Sequence, residues 1–342
     1  MFNLKSNENI LIIRSAFIGD YVITLPFIDY LLNVENIPRK NIHTLIINNK
    51  NFNPLKLLFK ANDDLLKNSY VFDTSDYLKS IFRLRLMNKF KEIIYLPFYS
   101  ETRLSIFKKK IIFKLSFGLK NNIHGMNLYS NEFSNQYYYY FKALGLYNSK
   151  LQLRFNYRNI LKIDQQETNQ IKNKFKKANY RVAFYINSKL DEKKWDIENF
   201  FYVHQYLKEK LNTEIFLIGS KEDRLYNQNF IKKYNLYQVN DLSGNLSLRE
   251  LIVFFENTDL LISNDGAPVH LAALTNCKIF AIYSYLNELK SGNRLRTWDP
   301  IISNSFITVR NSLGIKKLEF DMLKKYLDKL IKSNYIKESI LI

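Results

Sequence analysis

Two stretches far apart in the chain do most to limit what it can fold into. Residues 10–14 are a continuous run ending in a basic residue, Ile10, Leu11, Ile12, Ile13 and Arg14, and a few residues later comes the pair Gly19-Asp20. Residues 259–273 repeat the plan: Leu260, Leu261, Ile262 and Ser263, then Asn264-Asp265-Gly266-Ala267-Pro268, then Val269, His270 and Leu271. A short apolar run of this kind, closed by turn residues, reads as a strand buried on both faces, as in a parallel sheet. Each run is followed by a tight turn bearing an aspartate and then by the start of a helix. In open α/β sheets the ligand crevice lies at the carboxyl ends of the strands. Each half of the chain is therefore expected to aim one carboxylate at a cleft, which predicts two α/β domains with a site between them.

The rest of the chain is consistent with that plan. At 342 residues, two domains are the natural division, and each half is long enough for its own core. After the first strand the spacing predicts a helix over 21–33, strands at 42–48, 70–73 and 92–97, and helices near 53–60 and 75–90. Strands alternating with helices indicate βαβ units and a parallel sheet. From 100 to 150 the pattern blurs. Residues 103–113 are basic and apolar, 120–136 read as loop, and the tyrosines at 137–140 open a helix. A polar, charged stretch over 151–178 places the boundary near 165. The second half then predicts strands at 181–186, 214–218, 260–263 and 278–283. Helices are expected over 197–211, 222–234, 247–257 and 268–275, with a last amphipathic helix over 317–333.

Charge and cysteine content narrow the class. The net charge is +19, from 51 Lys and Arg against 32 Asp and Glu. Such an excess points to anionic partners: a membrane surface, a phosphorylated glycolipid or nucleic acid. Part of it reflects a composition rich in Lys, Asn, Ile, Tyr and Phe, but clusters such as Lys108-Lys109-Lys110 remain. A lone Cys277 rules out a disulfide framework and reads as a packed core thiol. Residues 1–9 are polar and do not read as a secretory signal, and no apolar run approaches the ~18 residues a membrane span needs. A cytoplasmic protein is expected.

The turn at 264–270 is the most chemical segment. Pro268 in the first helical turn pre-sets φ and removes an unneeded donor, and small residues before it let a ligand approach the backbone. Free N–H groups opening a helix favour a phosphate or diphosphate. A capped helix with Asp265 as cap and His270 in the core is the bland alternative. Gly19-Asp20 reads equally as a helix cap or as a carboxylate placed to take a proton from an attacking hydroxyl. Lysines at 193 and 194 could neutralise a phosphate leaving group, or belong to a solvated charged loop with Trp195 packing on the domain surface. Glu222, after Gly219-Ser220, could accept from ribose hydroxyls or complement a helix dipole. No G-x-G-x-x-G or P-loop pattern occurs, four dispersed histidines show no metal-ligand spacing, and no nucleophile elbow supports a serine triad.

Taken in order, these motifs resemble glycosyltransferase family 9, the bacterial heptosyltransferases of lipopolysaccharide core assembly. The resemblance rests on the strand at 10–14 with Gly19-Asp20 and Thr24-Leu25-Pro26, then Lys193-Lys194-Trp195, Gly219-Ser220, Leu242-Ser243-Gly244-Asn245-Leu246-Ser247, and Asp265 to His270. It implies a GT-B fold: two Rossmann-like domains facing across a cleft, residues 1–165 binding the acceptor and 166–316 the nucleotide-sugar. The helix in 317–342 is implied to return to the first domain. The implied reaction moves a sugar, typically heptose from ADP-heptose, with inversion and without a metal cofactor. By position, Asp20 would be the base on the acceptor hydroxyl. Lys193, or Lys194 beside it, would hold the donor diphosphate, and Glu222 would bind the nucleoside. Ser188, Asp265, the N–H groups of Gly266 and Ala267, and His270 would complete the donor site. Two departures bear on the donor. The family's Asp-[Ser/Thr]-Gly reads Asp265-Gly266-Ala267 here, and its Phe-Gly after the next strand reads Tyr283-Ser284.

The leading expectation is an inverting glycosyltransferase acting on an anionic glycolipid at the cytoplasmic face of the inner membrane, in peripheral contact with it. A nucleotide-sugar epimerase or hydrolase on the same fold, and a catalytically degenerate scaffold, are the alternatives. A nucleic-acid binder, suggested by charge alone, would show steep salt dependence but has no recognised binding motif to support it.

Overall fold

A computed structural model describes residues 8–15, 17–48, 52–73, 90–96, 103–117, 122–124, 135–143, 146, 155–175, 180–286 and 297–342. The chain divides into two compact units. One comprises Met1–Asn156 with Ile160–Lys162, the other Tyr157–Asn159 with Ile163–Ile342.

The first unit is built on five parallel strands: β1 (Ile10–Ser15), β2 (Ile42–Asn48), β3 (Ser69–Asp73), β4 (Glu92–Leu96) and β5 (Asn122–His124). Their order is β3-β2-β1-β4-β5. The apolar run read at 10–14 is the central strand, pairing with β2 on one side and β4 on the other. One face of the sheet buries Leu11, Ile13, Leu45, Ile47, Ile93 and Tyr95 beneath Phe113 and Phe117 of the helix Arg103–Phe117. That helix and β5 occupy the region where the sequence pattern blurred. The helix expected over 75–90 lies, except for Phe90, outside the described residues.

The helix expected over 21–33 is two helices, Ile18–Val22 and Leu25–Asn33. Pro26 is the cause. It has no N–H to continue the ladder from the first helix, but it fits the first turn of a new one. The first helix also starts earlier than the sequence suggested. Asp20 sits inside its first turn, and its Oδ2 accepts from the Phe17 N–H at 3.0 Å.

Seven parallel strands form the second sheet: β6 (Tyr180–Tyr185), β7 (Thr213–Leu217), β8 (Asn240–Asp241), β9 (Leu260–Asn264), β10 (Lys278–Ile282), β11 (Ser305–Arg310) and β12 (Ile336–Leu341). The order is β12-β11-β10-β9-β6-β7-β8. Counted from β6, this is the 3-2-1-4-5 order of the first sheet extended by two strands, so both units are doubly wound in the Rossmann manner. The strands reverse direction of winding between β1 and β4 in one unit, and between β6 and β9 in the other.

The helix Phe320–Lys332 lies within the second compact unit. Leu323, Leu327 and Leu330 fall on one helical face and are fully buried against the core made by Phe280, Ile282, Ile307 and Val309. Burying each leucine is worth about 1.5–3 kcal/mol, which holds the helix to its own sheet. The chain then lays β12 parallel to β11, so residues 336–341 close the edge of that sheet.

Candidate active site at the strand ends

In each unit the sequence-singled aspartate follows the strand at which the winding reverses. Asp20 comes after β1, and Asp265 directly after β9. In doubly wound sheets that reversal opens the ligand crevice. The second unit shows how the crevice is furnished.

The loop after β6 carries Ser188, Lys193 and Lys194, and Asn264 fastens it. This residue ends β9 and is fully buried. Its Nδ2 donates to the carbonyls of Ile186 at 2.9 Å and Asn187 at 3.4 Å, while its Oδ1 accepts from the Trp195 N–H at 3.0 Å. One amide side chain therefore ties both ends of the loop to the strand beside it. Trp195 is anchored in turn, its indole N–H donating to the Leu318 carbonyl at 2.6 Å. Replacing Asn264 by Ala leaves buried backbone groups without partners and is expected to cost about 1–3 kcal/mol. Urea unfolding measures this; a loss under about 0.5 kcal/mol would show that the loop does not depend on Asn264.

Clamped in this way, the loop brings Lys193 to Asp265. The ammonium donates to Oδ2 at 2.5 Å, joining residues 72 positions apart, and both side chains are partly shielded from solvent. Lys194 takes a different course. Its Nζ lies 2.8 Å from Asp191 and 5.6 Å from the centre of the Tyr226 ring. Of the two lysines, the structure pairs only the first with the carboxylate after β9. Ser188 is buried in the same loop.

Gly266 is the N-cap of the helix Ala267–Ala272, and no side chain caps that helix. Its extended φ of 177° suits any residue, so backbone strain does not explain glycine here. Space does: a Cβ on Gly266 would lie 3.0 Å from Cε1 of Tyr185. The aromatic ring that ends β6 fills the room a serine side chain would need. Burial, then the charges of Asp223 and Asp265, pushes the Tyr185 phenol above its ordinary range. It stays protonated at neutral pH beside the Lys193–Asp265 pair, and no periodic pattern in the sequence marks it.

His270 is buried in the helix, its ring 6.5 Å from that of Trp298. The Trp298 carbonyl accepts from the Tyr283 hydroxyl at 3.1 Å, which ties the Tyr283-Ser284 departure to this side of the site. Glu222 is exposed in the turn after β7. A hydrogen bond with Ser220 holds its carboxyl below the ordinary range, while its neighbour Asp223 accepts from the Ser220 N–H at 2.7 Å and from Asn187 Nδ2 at 2.7 Å. Asn264, Asn187 and Asp223 thus link the loops after three adjacent strands. Sequence reading named Glu222 and passed over Asp223, since nothing in the pattern says which of two adjacent carboxylates turns inward. Among the described residues no group of three His, Cys, Asp or Glu is placed to hold a metal ion.

A family model for glycosyltransferase family 9 (heptosyltransferase) matches residues 131–321, more than half the chain. The chain belongs to glycosyltransferase family 9. Its fold is also that of solved family structures. A glycosyl transferase family 9 protein from Veillonella parvula superposes with a TM-score of 0.67 at 16% identity, over 95% of this chain and 97% of that one. ADP-heptose lipopolysaccharide heptosyltransferase II of E. coli gives a TM-score of 0.63 at 14% identity, covering 94% and 98%. The E. coli heptosyltransferase WaaC, solved with ADP, gives 0.59 at 14% identity, covering 94% and 99%. No curated protein sequence matches significantly. The chain is a glycosyltransferase of GT-B architecture.

Proposed function

We propose that this glycosyltransferase moves a sugar, heptose or a close relative, from a nucleoside-diphosphate sugar to a hydroxyl of an anionic cell-surface glycolipid, inverting the anomeric centre. The observation that carries the reading is the Lys193–Asp265 pair at the winding reversal of the second sheet. A donor diphosphate brought there meets an ammonium group already held in place. As the bond from the anomeric carbon to the phosphate oxygen breaks, negative charge builds on the departing nucleoside diphosphate. Lys193, the N–H groups of Gly266 and Ala267, Ser188 and His270 receive that charge. Preorganised donors of this kind are the largest single source of stabilisation in such transfers. Glu222 takes the nucleoside. Asp20 removes the proton from the acceptor hydroxyl as its oxygen bonds to the anomeric carbon. The chemistry assigned to these residues uses no metal cofactor.

ADP-heptose is the donor to test first, because WaaC of E. coli has been solved with ADP and with ADP-2-deoxy-2-fluoro heptose. A peripheral position at the cytoplasmic face of the inner membrane fits a glycolipid acceptor and a chain of net charge +19. No helix among the described residues is long and apolar enough to cross a membrane. Product analysis with and without acceptor tests the reaction type. Transfer predicts a glycosylated acceptor of inverted configuration and little free sugar. Equal release of free sugar without acceptor would identify a hydrolase and overturn the proposal.

A further inference from the structure

The helix Arg103–Phe117 crosses between β4 and β5 in the first unit and uses only part of its circumference for folding. Phe113 and Phe117 are buried under Tyr95 and Phe90, with ring centres 5.3 Å and 6.1 Å apart. Lys109 lies over the Tyr95 ring. The remaining face is unusual for a solvated helix. Phe107 is 60% exposed and Ile111 45% exposed, one turn apart. Lys110 and Lys114 follow Phe107 at the i+3 and i+7 positions, so two apolar and two basic side chains alternate along one stripe, and exposed Lys108 flanks it. The helix contains five basic residues and no acidic one.

A helix that is merely solvated has no need of phenylalanine and isoleucine on its outer face, and a phosphate-binding helix needs only the cations. Apolar side chains set among lysines match the boundary of an anionic bilayer. There the rings and branched chains enter the acyl edge and the ammonium groups stay at the headgroups. We infer that this face docks the enzyme on an anionic lipid surface, with Phe107 and Ile111 inserted and Lys108, Lys110 and Lys114 on the headgroups. The inference deepens the membrane position proposed above by naming the surface. It does not depend on which donor or acceptor the enzyme uses.

Co-sedimentation with lipid vesicles tests it without any sugar transfer. The full chain is expected to bind vesicles of phosphatidylcholine with about 30% phosphatidylglycerol, and to bind pure phosphatidylcholine far more weakly. Each lysine near an anionic surface contributes about fivefold, so K108E/K110E/K114E should weaken binding on the order of 100-fold or more. F107S/I111S should weaken it about tenfold or more while retaining the wild-type thermal unfolding curve, since neither side chain is buried. Failure of the wild-type protein to bind anionic vesicles overturns the inference. So does a lysine-reversal variant that binds as wild type. Binding lost in the lysine variant but unchanged in F107S/I111S would reveal simple adsorption to polyanions, nucleic acid included, and would overturn it as well. None of these outcomes bears on transferase activity, which the product analysis reads separately.

Discussion

Asp20→Asn is expected to lower kcat about 10²–10⁴-fold while leaving the fold and donor binding intact. The substitution separates two duties of one side chain. In the helix Ile18–Val22 the carboxylate holds the N-terminal turn by accepting the Phe17 N–H at 3.0 Å. An amide oxygen accepts that bond equally well, so the turn survives. An amide cannot take a proton from an acceptor hydroxyl, so the proposed base is lost. The thermal unfolding curve should be nearly unchanged, and the stabilisation produced by nucleotide-sugar should match wild type. A kcat within threefold of wild type would reduce Asp20 to a helix cap and move the base elsewhere.

Asp299→Ala is expected to destabilise the protein by about 3–5 kcal/mol. Arg310 is fully buried at the end of β11, and Asp299 is its counter-charge at 2.9 Å. The guanidinium also donates to Thr308 Oγ1 and Ser339 Oγ, each at 2.9 Å, and lies 4.5 Å from the centre of the Tyr283 ring. Removing the carboxylate takes this counter-charge away from a desolvated cation, and breaking such a pair costs far more than the pair itself contributes. Replacing both partners by apolar residues, as in Asp299→Leu with Arg310→Met, should recover most of the loss. Urea denaturation of the two variants reads both effects. A single-variant loss below about 1 kcal/mol would contradict the account of this cluster. Because Tyr283 also reaches Trp298, and Trp298 packs near His270, the single variant should loosen donor binding too.

The strands that place the site were legible because burial on both faces makes them continuous apolar runs. Residues 260–264 and 278–282 could be read almost to the residue. β11 and β12 could not. The sequence of β11 ends in Arg310, whose burial depends on an aspartate eleven positions earlier in the chain. β12 reads Ile336-Lys337-Glu338-Ser339-Ile340-Leu341 at a sheet edge, with no strand period in its polar and apolar residues, and its pairing with β11 is what makes it a strand. The helix Arg103–Phe117 is hard to read because apolar residues fall on both faces, Phe113 and Phe117 toward the core and Phe107 and Ile111 outward among lysines, which erases the helical period.

Residue types and order single out Asp20 in the first unit and Lys193 and Asp265 in the second as candidates. The pairing of the last two depends on Asn264, which has no periodic signature and acts through three backbone groups distant in sequence. Likewise, Gly266 stood out as a departure from the family pattern, but its reason is the Tyr185 ring on another strand. Contacts of this kind become visible only when the loops after neighbouring strands are seen side by side.

Lys193 and Asp265 are proposed to form the core of a nucleotide-sugar site. Thermal unfolding of the purified protein with ADP-, GDP-, UDP- and CMP-sugars tests it most directly, with Lys193→Ala and Asp265→Ala in parallel. A ligand at 100 times its Kd stabilises the folded state by about 2.7 kcal/mol, enough to shift the midpoint measurably. A rise with one nucleotide class, ADP-sugars first, that disappears in both variants is expected. A rise that persists in both variants, or no rise with any nucleotide-sugar, would contradict it.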